Sequence, residues 1–241
     1  MIAYLAQTRV ELALTLRRGE SLLLTLGIPV VLLVFFSSID VLPTETPDPV
    51  DFLAPGVLAL AVMSTAMVGL GIATGFERQY HVLKRLGTTP LGRPALLGAK
   101  TTSVIAIEAI QVAVLVPLAL LLGWDVDAAG IGLALLAVVL GTSAFAGIGL
   151  LLAGTLKGEV NLAAANGLYL VFLLIGGVVI PLDRLPGPLE TVASWLPSGA
   201  LSDVLRGALT PGAGVPAQAW VALTVWAVVT PLLAARFFRW D

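Results

Sequence analysis

The chain has 241 residues, of which 58% are hydrophobic and only 12% are charged, whereas a soluble domain is about 45–50% apolar and about 25% charged. This composition excludes a water-soluble fold, and the formal net charge of −2 provides no basic surface for nucleic acid. The absence of cysteine excludes disulfides, thiolate metal sites and cysteine nucleophiles. A membrane protein is the class that remains.

The N-terminal segment 1–20 precedes the first apolar run and has two distinct faces. Arg and Glu residues inside this segment favour an amphipathic helix lying in the membrane interface. The alternative is that the segment is the polar end of the first spanning helix. The polar face consists of Thr8, Glu11, Thr15 and Arg18, and the apolar face of Leu5, Leu12 and Leu16.

Six apolar stretches are each long enough to cross the roughly 30 Å hydrocarbon core of a bilayer. The charged residues lie almost entirely between these stretches. We therefore predict an all-α polytopic membrane protein with six transmembrane helices in a single domain, 1–241. The predicted spans are 22–39, 52–75, 101–122, 129–153, 161–181 and 215–235.

The positive charges are divided unequally between the two sides of this topology. All but two of the 13 Lys and Arg residues lie in the N-terminal segment, in the loops after the second and fourth spans, or in the C-terminal tail. Short loops rich in Lys and Arg stay cytoplasmic. We therefore expect a multi-pass protein of the cell membrane with both termini in the cytoplasm.

The segment between the second and third spans is the most informative stretch of the sequence. Phe76, Tyr80 and Leu83 can share one helical face, and Gly87 suits a C-terminal cap. The segment 76–87 therefore predicts a short charged helix on the cytoplasmic side. The alternative is an ordinary solvated loop that only obeys the orientation rule.

Three polar residues within the predicted spans are candidates for a functional role. Glu108 lies about two turns into the third span, and Gln111 shares its helical face. A carboxylate at this depth must face protein, water or a partner. Glu108, Gln111 and, on the fifth span, Asn166 are candidates for a polar substrate path. The alternative for Glu108 is a structural hydrogen bond to a neighbouring helix, with Thr142, Ser143 or Asn166 as partner.

The segment 182–214 is too polar and too rich in proline to span a membrane. Apolar residues nevertheless recur at helical spacing on both sides of a break at 197–199. This pattern predicts two short amphipathic helices on the extracytoplasmic side, before the last span.

Motifs for catalysis and for metal binding are missing. No Lys follows a Gly, so a G-x-x-x-x-G-K-[ST] phosphate loop is excluded, and His81 is the single histidine. We expect no catalytic residue, no metal site and no cofactor bound by this chain. If ATP is used, another chain hydrolyses it.

The segment that begins at Phe76 resembles a motif of the ABC type-2 transporter permeases, close to F-E-R-x-x-G-T-L-E-x-L-x-x-[ST]-P-x-x-R. His81 and Val82 replace the usual Gly-Thr, and Lys84 replaces an acid. A P-L-x-x-L-P-x-x-L stretch from Pro181 and a later W-L-P extend the resemblance over nearly the whole chain. The residues that match the motif are Phe76, Glu77, Arg78, Leu83, Leu86, Thr89, Pro90 and Arg93.

The resemblance implies a permease subunit of an ATP-driven exporter, in which segment 76–87 is a coupling helix docked on a separate ATPase subunit. It further implies that the ATPase binds ATP and Mg²⁺, that a second permease copy or a homologue completes the transporter, and that membrane lipid surrounds it. Two alternative functions remain: an ATP-independent secondary transporter or channel that uses Glu108, and a membrane enzyme or scaffold. The ATPase contact would involve Phe76, Glu77, Arg78, Tyr80, His81, Leu83, Lys84 and Arg85.

Overall fold

The computed structural model describes residues 2–17, 19–38, 49–88 and 92–239. Over these ranges the chain is all-helical and contains no β-strand. The third helix is continuous but includes a π-helical turn at Ser64–Gly69. The helices are α1 (Ile2–Arg17), α2 (Gly19–Ser37), α3 (Pro49–Gln79), α4 (Val82–Leu86), α5 (Arg93–Leu121), α6 (Ile131–Thr155), α7 (Gly158–Ile175), α8 (Gly187–Trp195), α9 (Pro197–Leu209) and α10 (Ala217–Phe237).

Among the described residues, five helices are long and apolar enough to cross a membrane: α3, α5, α6, α7 and α10. They correspond to the second to sixth predicted spans. The first predicted span falls on α2, in which the apolar stretch Thr25–Ser37 is shorter. Residue 39, the predicted end of that span, lies outside the described residues. The count of six therefore stays a prediction.

Three ends of the spanning helices differ by four residues or more from the sequence prediction, and one of them is the start of α5, which lies at Arg93 instead of the predicted residue 101. The fifth span was expected to reach residue 181, but α7 ends at Ile175 because Gly177 has φ +68° and turns the chain away from the helix. The second span was expected to end at residue 75, but α3 continues to Gln79. The first residues of the resemblance motif are therefore the last turn of a spanning helix.

The centre of the bundle is α6, which packs against α3, α9 and α10. A Cβ atom on Gly71 would lie only 3.0 Å from the Cα atom of Gly149, so α3 and α6 touch backbone to backbone there. Towards α10, the Ser143 hydroxyl donates to the Ala227 carbonyl at 2.8 Å, and the Thr230 hydroxyl donates to the Ala144 carbonyl at 2.7 Å. Small residues and interhelical hydrogen bonds thus hold the core together, as expected where lipid removes the hydrophobic drive.

Helix α1 packs across the beginning of α5. The Tyr4 hydroxyl shares a hydrogen bond of 2.5 Å with that of Thr102. Glu11 on the predicted polar face is buried against the protein, whereas Leu5 and Leu16 are exposed. Arg18 lies outside the described residues, and the interfacial position of α1 stays a prediction.

The opposite end of the bundle is covered by α8 and α9, which form the two short helices of segment 182–214. Helix α9 packs against α3, α6 and α10. Its apolar side is buried and consists of Leu201, Val204, Leu205, Ala208 and Leu209. We refer below to the Arg206 end, which α9 covers, and to the Lys100 end, where α3 ends and α5 begins.

Candidate functional site

Segment 76–86 does not form one helix. It consists of the last turn of α3 and the short helix α4, separated by Tyr80 and His81. His81 has φ +58°, a left-handed conformation that suits glycine better than any residue with a Cβ atom. This is the position at which the resemblance motif has Gly. The motif residue therefore marks a turn that reverses the chain after the second span.

The candidate ATPase-contact residues point in two directions. Tyr80 is 66% exposed, and His81, Lys84 and Arg85 are exposed as well, so these four form one accessible surface. Leu83, on the other side of α4, is fully buried and belongs to the hydrophobic core. Leu83 anchors the helix that presents the exposed residues.

Glu77 is directed inward, into an ion-paired cluster that we call the Lys100 triad: Glu11, Glu77 and Lys100. The Lys100 ammonium lies 2.6 Å from Oε2 of Glu77 and 2.9 Å from Oε1 of Glu11. Lys100 is only 1% exposed, and the amide of Gln7 donates to Glu11 at 2.7 Å. A buried ammonium needs such partners because its desolvation is costly. The triad ties α1, the end of α3 and the start of α5 together.

Arg78 has a structural role at the same end. Its Nη1 donates to the Ala153 carbonyl at 2.7 Å, in the last turn of α6. The last carbonyls of a helix have no partner within the helix, and a cation there is favoured by the helix dipole. Phe76, one turn before Tyr80, stacks on that residue with ring centroids 6.2 Å apart. The F-E-R residues are thus turned toward the protein.

The side chains of three motif residues lie outside the described part of the structure. Thr89 and Pro90 lie outside the described residues, and of Arg93 only the backbone at the start of α5 is described.

A cavity of about 690 Å³ opens beside the Lys100 triad. Its walls come from α1, α2, α3, α5 and α7, with Val82 of α4 at the edge, and the π-helical turn of α3 contributes Ser64, Thr65, Val68 and Gly69. Most of the wall is apolar, and the three triad residues lie at one end of it. Asn166 and Tyr169 line the cavity from α7. A cavity of this size is in the range of small-molecule sites.

Of the three predicted substrate-path residues, only Asn166 lines this cavity. Its side-chain amide donates to the Leu162 carbonyl on its own helix at 2.9 Å. Gln111 lies behind the wall, where it accepts from the Thr65 hydroxyl at 3.1 Å and donates to the Thr25 carbonyl at 3.0 Å. Gln111 therefore joins α2, α3 and α5.

Glu108 lies on the side of α5 that faces α6. It is 2% exposed and accepts from the Thr142 hydroxyl at 2.5 Å. Thr142 is one of the three hydrogen-bond partners that the sequence suggests for Glu108 in a structural role. Glu108 thus lies apart from both the cavity wall and the Lys100 triad.

Sequence reasoning missed two residues of the site. It assigned Lys100 to a solvated loop and Glu11 to the polar face of an interfacial helix, whereas the structure buries both against each other. The available signal was the position of each charge inside a helical, largely apolar segment, where an unpaired charge is unfavourable. No signal in the sequence identified the two as partners, since they are 89 residues apart.

The Arg206 end contains a second cation that is enclosed by protein groups but only partly buried. The Arg206 guanidinium donates to the Gly177 carbonyl at 2.5 Å and to the Phe52 carbonyl at 3.3 Å, and it lies 3.8 Å from the centre of the Phe52 ring. Burial lowers the pKa of Arg206 to about 10. Burial also raises the pKa of Asp203, one turn earlier, to about 6, although the charge of Arg206 opposes this. Arg206 thereby fixes the chain where α7 ends.

Within the described part of the chain, no three His, Asp or Glu side chains are grouped so that they could hold a metal ion. The Lys100 triad already contains its own cation, and its two carboxylates are engaged with it.

Two comparisons with known proteins bear on these features. The sequence profile of a family described as "ABC-2 type transporter" matches residues 3–210. A curated protein of Bacillus subtilis (strain 168), named "Putative transport permease YvfS", is 24% identical over 200 residues, which cover 80% of this chain and 79% of that protein. The profile match extends over the segments that contain the Lys100 triad, the cavity and most of the Arg206 end.

Proposed function

The chain belongs to the ABC-2 type transporter family, and on that premise we propose that it is the permease subunit of an ATP-driven exporter, coupled to a separate ATPase. The family makes it a transmembrane transport subunit. The coupling, the partners and the direction of transport are the further steps of the proposal.

The observation that most strongly supports the coupling is the orientation of α4, which has exposed charged residues on one side and a buried leucine on the other. Tyr80, His81, Lys84 and Arg85 are exposed, while Leu83 is buried. Charged residues at a polar interface set partner orientation and association rate more than affinity. We propose this surface as the contact with the ATPase, which would bind the ATP and Mg²⁺.

The Lys100 triad provides a physical route from that surface into the bundle. Glu77 is four residues from His81, and its carboxylate is held by Lys100, which also holds Glu11. A displacement of α4 therefore acts on the ends of three helices together. Packed helices that exchange between two arrangements are the usual basis of such transitions. We infer that the triad transmits the movement of the ATPase to α1, α3 and α5.

The transport path in this proposal includes the cavity, which α2, α3 and α7 line along the spanning part of the bundle. A second copy of the chain or a homologue completes the path, with membrane lipid around both. The Lys100 end faces the cytoplasm of a cell membrane, and both termini lie there. Export is the direction that the family resemblance implies.

The contact is tested by reversing its charges with Lys84→Glu and Arg85→Glu together. Because both side chains are exposed, we expect a folded permease that no longer co-purifies with its ATPase, and loss of ATP-dependent transport. The matched control is Arg236→Glu with Arg239→Glu, two exposed arginines at the same end, which should retain the ATPase. Unchanged ATPase retention in the Lys84 and Arg85 variant would contradict the proposal.

The alternative, an ATP-independent transporter that uses Glu108, has less support because Glu108 faces Thr142 of α6 and lies off the cavity wall. Transport by the purified chain in vesicles without an ATPase would favour this alternative.

A further inference from the structure

The cavity combines a charged end with an apolar body, and this combination indicates what it binds. We propose that its ligand is a drug-sized lipophilic organic cation, held with its charge at the Lys100 triad. This inference rests on the proposed function, because it names the substrate class of the same cavity. The argument has three parts: charge, aromatic surface and apolar surface.

The charge of the wall is negative. Among the residues that line the cavity within the described ranges, the charged ones are Glu11, Glu77 and Lys100. Two carboxylates and one ammonium carry a formal charge of −1. Lys100 is 1% exposed and both of its ion pairs are internal, so the ammonium has little surface left for an anionic ligand. The wall therefore favours a cation over an anion.

Aromatic rings flank the same end. Phe76 and Tyr80 both line the cavity, and their rings are stacked at an interplanar angle of 18° on either side of the Glu77 position along the helix. Aromatic faces attract organic cations through the ring quadrupole. Two aromatic rings in a cavity wall of net negative charge favour an alkylammonium or similar group as the ligand.

Most of the remaining wall is apolar, which disfavours a small hydrated ion as the ligand. Ile28 from α2, Val68 from α3 and Ile107 from α5 present hydrocarbon to the cavity. A metal ion or ammonium would leave this surface without a partner, whereas a ligand with an apolar body would cover it. The volume of about 690 Å³ accepts a molecule of drug size.

The test uses two probes of nearly identical shape and opposite charge, tetraphenylphosphonium and tetraphenylborate. Their binding to the purified full chain is measured by equilibrium dialysis in uncharged maltoside micelles, with empty micelles subtracted. We expect saturable binding of the cation, at least about tenfold tighter than that of the anion. Equal affinities, or tighter binding of the anion, would overturn the inference.

A matched pair of variants on α1 locates the site. Thr15 lines the cavity one turn after Glu11, whereas Thr8 does not line it. Both hydroxyls donate only to a carbonyl of their own helix, Thr15 to Glu11 and Thr8 to Tyr4, so that neither substitution breaks a contact between helices. Thr15→Lys should weaken cation binding at least about tenfold, and Thr8→Lys should change it less than about twofold. Equal effects of the two variants would place the cation elsewhere and overturn the inference.

The result is separable from the proposed function because the ATPase takes no part in the dialysis. If the cation fails to bind while the ATPase still co-purifies, only the substrate class is wrong. If the cation binds but no ATPase associates, the coupling proposal fails and the cavity assignment stands.

Discussion

The two ends of the bundle each hold a cation against the protein, Lys100 fully buried and Arg206 partly buried, but the partners of the two cations differ. Lys100 is held by carboxylates from two other helices, whereas Arg206 is held by backbone carbonyls of Phe52, Gly177 and Val178. Side-chain partners rearrange when helices move, while carbonyls are fixed to the chain. This difference agrees with the proposed function, in which the helices move at the Lys100 end and the Arg206 end stays fixed.

The largest expected effect follows from removing Lys100. Lys100→Met leaves two carboxylates beside each other without their cation, which we expect to cost about 3–5 kcal/mol of the free energy of unfolding. The measurement is thermal unfolding in detergent micelles.

The control for this variant is Lys157→Met, at an exposed lysine of the same end, which should change stability by less than about 0.5 kcal/mol. Adding Glu11→Gln and Glu77→Gln to Lys100→Met should recover a large part of the loss. Equal stability of the Lys100 and Lys157 variants would contradict the assignment of the triad as the junction of three helices.

A second prediction concerns Asp203 at the Arg206 end. Burial raises the pKa of Asp203 to about 6 from an ordinary value of 3.8, so the folded chain binds this proton more tightly than the unfolded chain. The free energy of unfolding must then fall as the pH rises through this range, and it stays lowered above about pH 6.

Asp203→Asn cannot titrate, and it should remove this pH dependence. We expect its Tm to exceed that of the parent chain by about 2–4 °C at about pH 8, with the difference vanishing below about pH 4. Parallel Tm profiles for the two proteins between these pH values would show that Asp203 is not buried in this way.

The smallest predicted effect is at the turn before α4. His81 has φ +58°, and a residue with a Cβ atom loses roughly 1–2 kcal/mol in the left-handed conformation. Because glycine also adds entropy to the unfolded chain, His81→Gly should raise the Tm by only about 1–2 °C. The matched control is Lys84→Gly, inside α4, where glycine should lower stability by about 1 kcal/mol. A lower Tm for His81→Gly would mean that the turn is not left-handed.

The sequence predicted those features that depend on local pattern. The helical spacing of Leu201, Val204, Leu205 and Ala208 gave the buried side of α9, since the period of a helix alone determines which residues share a face. The all-helical fold and the family followed from the apolar runs and from the F-E-R motif, and the family profile confirms the resemblance.

The features that the sequence did not predict depend on distant partners. Glu77 and Lys84 are both charged residues of one segment, yet the first is ion-paired inside the protein and the second is exposed. The difference arises because α3 continues to Gln79 and directs Glu77 toward Lys100. Lys100 lies on α5, which begins at Arg93, 14 residues after the end of α3. Local periodicity contains no information about that contact.

The most direct measurement places a photo-crosslinking amino acid at Lys84, in intact membranes. If the ATPase acts on the permease through the exposed surface of α4, position 84 should cross-link to a nucleotide-hydrolysing subunit. The control position, Thr191, is an exposed residue of α8 at the Arg206 end and should give no such cross-link. If position 84 cross-links only to lipid or to other copies of the chain, while the complex still hydrolyses ATP and transports, the coupling surface is wrong.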